Sequence, residues 1–249
     1  PWTQTAWPFE TDLETFIRNA LLIGVLDEDV SLNPVIWSLV VELRFSIIFV
    51  GLALLCRRSR WSLIAVTMGG HLIGRLVLNK MGVSPPFLVG ESILGAVALT
   101  LFYLPSFGLG IAAADWMLSH KGQIRIDGWL QIALCGAFVG VAKIINDDLA
   151  WCFASTGVVL IASLPGPVSS ALILRPVQFL GKISYSLYLI HFPILMATTY
   201  VFTPHIGLVT SLLLAPTLST LAAALMYRYV EVPGINFGKR CATALAGRP

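Results

Sequence analysis

The chain has 249 residues, of which 57% are hydrophobic and 12% charged, with a formal net charge of +3. An average soluble domain carries roughly 25% charged residues, and a mean hydropathy of +0.83 leaves more apolar surface than one soluble core of this size encloses. The basic residues flank hydrophobic blocks and form no nucleic-acid motif, so the charge points to membrane topology and no nucleic-acid partner is expected.

The first stretch, Pro1 to Asn33, carries Glu10, Asp12 and Glu14, then Phe16, Ile17, Leu21, Leu22 and Val25 at near-helical spacing, and then Asp27, Glu28 and Asp29. That pattern predicts an outer-face segment, 1–33, with one amphipathic helix lying along the interface. The chain starts at Pro1 without an initiator methionine, a basic n-region or a small-residue cleavage site, and so reads as a fragment or a processed product.

Apolar blocks of about 17 to 24 residues then follow, each near the length that crosses a hydrocarbon layer about 30 Å thick. They run from Pro34 to Cys56, Trp61 to Asn79, Ala98 to Leu118, Trp129 to Ile145, Ala150 to Ser169, Gly181 to Phe202 and Ile206 to Tyr229. The expected fold class is all-α, a polytopic transmembrane helix bundle with about seven spans. A single domain, 1–249, holds the spans within 34–229 and a cytoplasmic tail at 230–249. Pro85 to Val97 is too apolar for an ordinary loop, too short for a span, and contains Glu91, which predicts an outer half-helix or a re-entrant piece. The cysteines have no metal-ligand spacing: Cys56 and Cys241 adjoin Arg57 and Arg240, while Cys135 and Cys152 lie in apolar blocks, so no metal site and no bound cofactor are expected.

Lysine and arginine set the orientation, because positively charged loops stay on the cytoplasmic side. Alternate loops hold Arg57, Arg58 and Arg60; Lys121 and Arg125; Arg175 and Lys182; and Arg228, Lys239, Arg240 and Arg248. The opposite set holds only Arg18 and Lys80 among many carboxylates. An odd number of spans then puts the N-terminus outside and the C-terminus in the cytoplasm.

Ionisable residues inside the apolar blocks cost about 2.5 to 3.5 kcal/mol each at the bilayer centre on insertion scales, so each is expected to face a cavity or a partner. They are Glu42, Arg44, His71, Arg75, Glu91, Asp115, Lys143 and His191. Arg75 and Lys143 lie near span ends, where a long stem reaches the interface, and Asp115 reads the same way. His71 and Arg75, four apart, share a helix face as a polar seam or as part of a pocket. Glu42 and His191 are the deep ones, about 12 Å and 15 Å from the faces at which their spans enter. Ser184, Tyr188 and His191, spaced four and three apart, put a hydroxyl, a phenol and an imidazole in one stripe. That stripe reads as a proton relay, an acyl-donor groove or interhelical hydrogen bonding.

The run Asn33-Pro34-Val35-Ile36-Trp37-Ser38-Leu39-Val40-Val41-Glu42-Leu43-Arg44-Phe45 resembles the N-x-x-x-W-S-L-x-x-E-x-x-F signature of the type three acyltransferases, multi-span enzymes that acylate sugars. The run from Leu180 to Pro193 is similar to that family's L-G-x-I-S-Y-S-x-Y-L-x-H-x-P helix. Phe107 to Gly110 is similar to its F-x-x-G element, and Tyr229 to Pro233, with the spacing Y-x-E-x-P, to its closing element. The four motifs stand in the family's order and cover most of the chain. The resemblance implies a bundle of about ten helices with a cytoplasmic N-terminus, whose catalytic histidine and a preceding arginine sit on a first helix that nothing before Asn33 matches. It thus implies a domain truncated at its N-terminus. Where the family often has a second acidic residue, this sequence has Leu43.

The implied activity is transfer of an acyl group, expected to be acetyl, from a cytoplasmic acyl-CoA such as acetyl-CoA to a hydroxyl of a cell-envelope or exported glycan at a bacterial cytoplasmic membrane. The expected partners are the acyl-CoA, the glycan acceptor and the lipid bilayer. Glu42 and His191 are the expected catalytic residues, Glu42 orienting the absent histidine or taking its proton. Trp37 and Ser38 line the outer entry, Ser184 and Tyr188 join His191 on the donor path, and Arg44, His71 and Arg75 complete the expected binding set. A transporter or lipid-linked glycan flippase, or an inactive remnant that only binds a partner, are the alternatives from other classes.

Overall fold

The computed structural model describes residues 13, 17, 21, 22, 33, 35–83, 92–120 and 126–246. Every regular element among the described residues is helical: α1 (Ile36–Arg58), α2 (Arg60–Met81), α3 (Ile93–Ser119), α4 (Gly128–Ile145), α5 (Asp148–Ala162), α6 (Pro167–Leu172), α7 (Arg175–Ile206) and α8 (Leu208–Met226), then a π-helical turn (Tyr227–Glu231) that runs into α9 (Val232–Ala246). The all-α expectation holds. Among the described residues, six stretches are long and apolar enough to cross a membrane, namely α1, α2, α3, α4, α7 and the continuous run Leu208–Ala244.

Two expectations from sequence need revision. The block at 150–169 forms only the 15-residue α5, about 22 Å long at 1.5 Å per residue and so shorter than a hydrocarbon layer. The cause is Leu164-Pro165-Gly166-Pro167: Pro167 cannot continue a helix and instead opens α6. The expected half-helix at 85–97 is, from Ile93 onward, the first turns of α3, because the Ser92 hydroxyl accepts the Gly95 N–H at 3.1 Å and starts the helix there; the rest of it, Glu91 included, lies outside the described residues. Within the expected tail, α9 carries the chain as a helix to Ala246. Of the amphipathic segment at 1–33, Leu13, Ile17 and Leu21 are helical and exposed at a spacing of four, and most of the remainder lies outside the described residues.

The chain forms two compact units. In the larger, Thr11–Leu32 with Trp37–Leu174, α2 packs along α3, α4 along α5, and α3 touches α5. Small residues set how closely α2 and α3 approach. A Cβ on Gly74 would fall 2.5 Å from the Ala98 carbonyl oxygen and 2.6 Å from the Phe102 nitrogen, so α3's backbone lies directly against this glycine. Gly108 meets Thr67 in the same way, at 2.5 Å. Val41, Phe45, Leu52 and Cys56 of α1 complete the core with Leu63, Leu104 and Ala112, and the Phe45 and Phe107 rings stack at 3.8 Å. The smaller unit joins Asn33–Ile36 to Arg175–Pro249, and in it α7 packs along α8.

Candidate functional site

Glu42, Trp37, Ser38, Arg44, His71 and Arg75 belong to the larger unit, and Ser184, Tyr188 and His191 to the smaller. On α1, Val41 and Phe45 turn inward while Glu42 is exposed, with no side-chain hydrogen bond or ion pair among the described residues. Its carboxylate is open to whatever approaches that face. Trp37, half-buried like Ser38, packs with its ring 6.0 Å from that of Tyr103. The Arg44 guanidinium donates to the Ala96 carbonyl at 3.3 Å.

The close approach of α2 to α3 delivers His71, which is 1% exposed, to the carbonyl of Phe102 at 2.7 Å. A carbonyl only accepts, so Nδ1 carries the hydrogen of this bond and Nε2 is left as the other ring nitrogen. Nε2 is buried without a hydrogen-bond partner among the described residues. One turn further along the same helix, Arg75 donates to Asp147 at 2.9 Å. Sequence placed Arg75 at an interface and missed Asp147, which caps α5 by accepting the Leu149 N–H at 3.0 Å. Burial pushes the Asp147 carboxyl up, but the hydrogen bonds from Leu149 and Arg75 and the positive charge of Arg75 outweigh it and hold the group below its ordinary value. Arg75, Leu78, Asn79, Phe102 and Asp148 line a cleft of about 120 Å³. His71 and Arg75 thus sit in one polar region at the α2–α3 contact. Asp115 also has a partner, the Arg60 guanidinium, which donates to Ser119 as well, at 2.8 Å.

In the smaller unit the expected stripe on α7 is real as a helix face, but its members bond to backbone rather than to one another. The Ser184 hydroxyl donates to the Gly181 carbonyl at 2.9 Å, the Tyr188 hydroxyl to the Val35 carbonyl at 3.2 Å, and His191 Nδ1 to the Tyr188 carbonyl at 2.7 Å. Asn33 Nδ2 donates to the Leu189 carbonyl at 2.8 Å. Two motifs named from sequence therefore meet: Asn33 and Val35 of the first touch Tyr188 and Leu189 of the second. The fully buried Ser186 hydroxyl donates to Glu231 at 2.6 Å, joining the second motif to the closing one. Sequence reasoning gave Asn33, Ser186 and Glu231 no role. For Asn33 the signal was present, since Pro193 has no N–H for the carbonyl four residues before it.

Apolar helices long enough to cross a bilayer, in an all-helical chain, define an integral membrane protein. The type three acyltransferase family model, described as an acyltransferase domain, matches residues 4–228, and the chain belongs to that family. It is a membrane acyltransferase. No curated protein and no solved structure matches the chain.

Proposed function

We propose that the enzyme moves an acetyl group from acetyl-CoA, or a related acyl group from its CoA thioester, to a hydroxyl of a cell-envelope or exported glycan, working in a bacterial cytoplasmic membrane with its C-terminus on the cytoplasmic side. The observation that carries this reading is the family match across residues 4–228. In the transfer, the acceptor hydroxyl loses its proton to a base, its oxygen bonds to the acyl carbon, and the carbon–sulfur bond breaks to release the CoA thiol.

Glu42 supplies a carboxylate that orients the base or takes its proton, and its exposed position on α1, unpaired among the described residues, supports that role. His191 serves the donor path with Tyr188 and Ser184, its Nε2 left available because Nδ1 is committed to the Tyr188 carbonyl. Trp37 and Ser38 line the acceptor entry. His71, Arg75 and Arg44 complete the binding set, for which the cleft beside Arg75, Asn79 and Asp148 offers donors and acceptors suited to sugar hydroxyls. The test is incubation of membranes bearing the full-length protein with acetyl-CoA labelled in the acetyl group. Label recovered in envelope glycan and released by mild base, as an ester is, supports the proposal. Glycan movement without dependence on an acyl donor would replace it with a flippase.

A further inference from the structure

Proline inside a membrane helix leaves a carbonyl without its donor, and in an apolar setting that carbonyl needs another. α7 contains Pro193, and the carbonyl four residues earlier is that of Leu189. Asn33 Nδ2 donates to it at 2.8 Å from 156 residues away in sequence. The neighbouring carbonyl, that of Tyr188, receives Nδ1–H of His191, while the Tyr188 hydroxyl donates to Val35. Asn33 is itself fixed by a turn, since its carbonyl accepts the Ile36 N–H at 3.0 Å. Three hydrogen bonds thus tie the two residues preceding His191's turn to a short anchored segment, 33–35, and to the imidazole. They hold the helix at its proline, and through the Tyr188 carbonyl they set both the tautomer and the direction of the ring.

We propose that Asn33 is a positioning residue for His191: its side-chain amide replaces the N–H that Pro193 lacks and so keeps the imidazole aimed with Nε2 free. The inference rests on the donor-path role proposed for His191, and its test separates the two.

Acyl transfer by the full-length protein in native membranes is measured for N33A, N33D, P193A and H191A and for N33A combined with each of the last two. N33A and N33D both lose the donor and are expected to lower kcat about tenfold, with acceptor KM within about twofold of wild type. In P193A the residue at 193 regains an N–H for Leu189, so adding N33A is expected to cost less than about twofold. Adding N33A to H191A is expected to cost equally little, because its effect passes through the ring. A merely structural asparagine would cost the same factor with or without His191. Should N33A alone reach the membrane poorly, the N33A/P193A pair decides: restored abundance and activity support the proposal, and continued failure contradicts it. Wild-type activity in N33A, or an undiminished tenfold loss in either background, overturns it while leaving His191's role standing. Full activity in H191A removes that role, and the positioning role with it.

Discussion

His71 and Phe102 are joined across the α2–α3 contact by a 2.7 Å hydrogen bond from imidazole Nδ1 to a backbone carbonyl, and the other ring nitrogen is buried without a partner among the described residues. The bond accounts for one half of the imidazole, and the free Nε2 is the half with chemistry to spare. His71→Asn is expected to preserve the fold, because an asparagine amide reaches nearly where Nδ1 does. It should still lower acyl transfer at least about tenfold, since nothing replaces Nε2. His71→Ala removes both and should also destabilise the protein by about 1 to 3 kcal/mol through the lost hydrogen bond and the cavity left in a buried site. Thermal unfolding in detergent alongside acyl-transfer rates checks both; an active His71→Asn enzyme would make the residue purely structural.

The same contact depends on Gly74. Adding a methyl there places it 2.5 Å from the Ala98 carbonyl oxygen, and backbone cannot move aside as a side chain does. Gly74→Ala is expected to lower stability by about 1 to 3 kcal/mol, read as a drop in the detergent melting temperature. Gly69→Ala, with nothing within 4 Å of the added carbon, is the control that should melt like wild type.

Ser186 and Glu231 make a 2.6 Å hydrogen bond from a fully buried hydroxyl to a carboxylate on the π-helical turn. Ser186→Ala takes a donor from a half-buried charge and should cost about 1.5 to 3 kcal/mol. Glu231→Gln keeps an acceptor and should cost less. Equal melting temperatures for both variants and wild type would show that the bond does not hold α7 to the turn.

Acid should loosen the link between α2 and the start of α5. Asp147 has a lower pKa folded than its ordinary 3.8, so its stabilising effect is fully present above about that pH and is lost as the pH falls through the lower folded value. Both partners are partly exposed, with side-chain accessibilities of 49% for Arg75 and 30% for Asp147, which limits the effect to under about 1 kcal/mol. Asp147→Asn should therefore melt slightly below wild type at pH 7, and the two should draw together as the pH falls below 3.8. A gap that stays constant over that range would show that the charge contributes nothing.

The spans at α1, α2 and α4 were legible because membrane thickness writes itself into composition: apolar blocks of fixed length, closed by arginine, glycine or asparagine, need no knowledge of neighbours. α5 was overestimated because its apolar run continues through a Pro-Gly-Pro break that hydropathy does not weigh. Glu42, His71, Arg75 and His191 were legible as expensive residues in apolar surroundings. Their partners were not, because Phe102 and Asp147 reach His71 and Arg75 only through the glycine-set approach of helices far apart in sequence. Asn33 lies between these cases. Pro193 announces a carbonyl in need of a donor, but only the fold shows which residue supplies it.

The most direct test of acyl transfer through this chain's own carboxylate is the incorporation of labelled acetyl groups into glycan by full-length Glu42→Gln protein, compared with wild type at matched membrane abundance. Loss of at least about a hundredfold in rate, with melting unchanged, is the expected result for a group that acts on the proton being moved. Incorporation at the wild-type rate would contradict it.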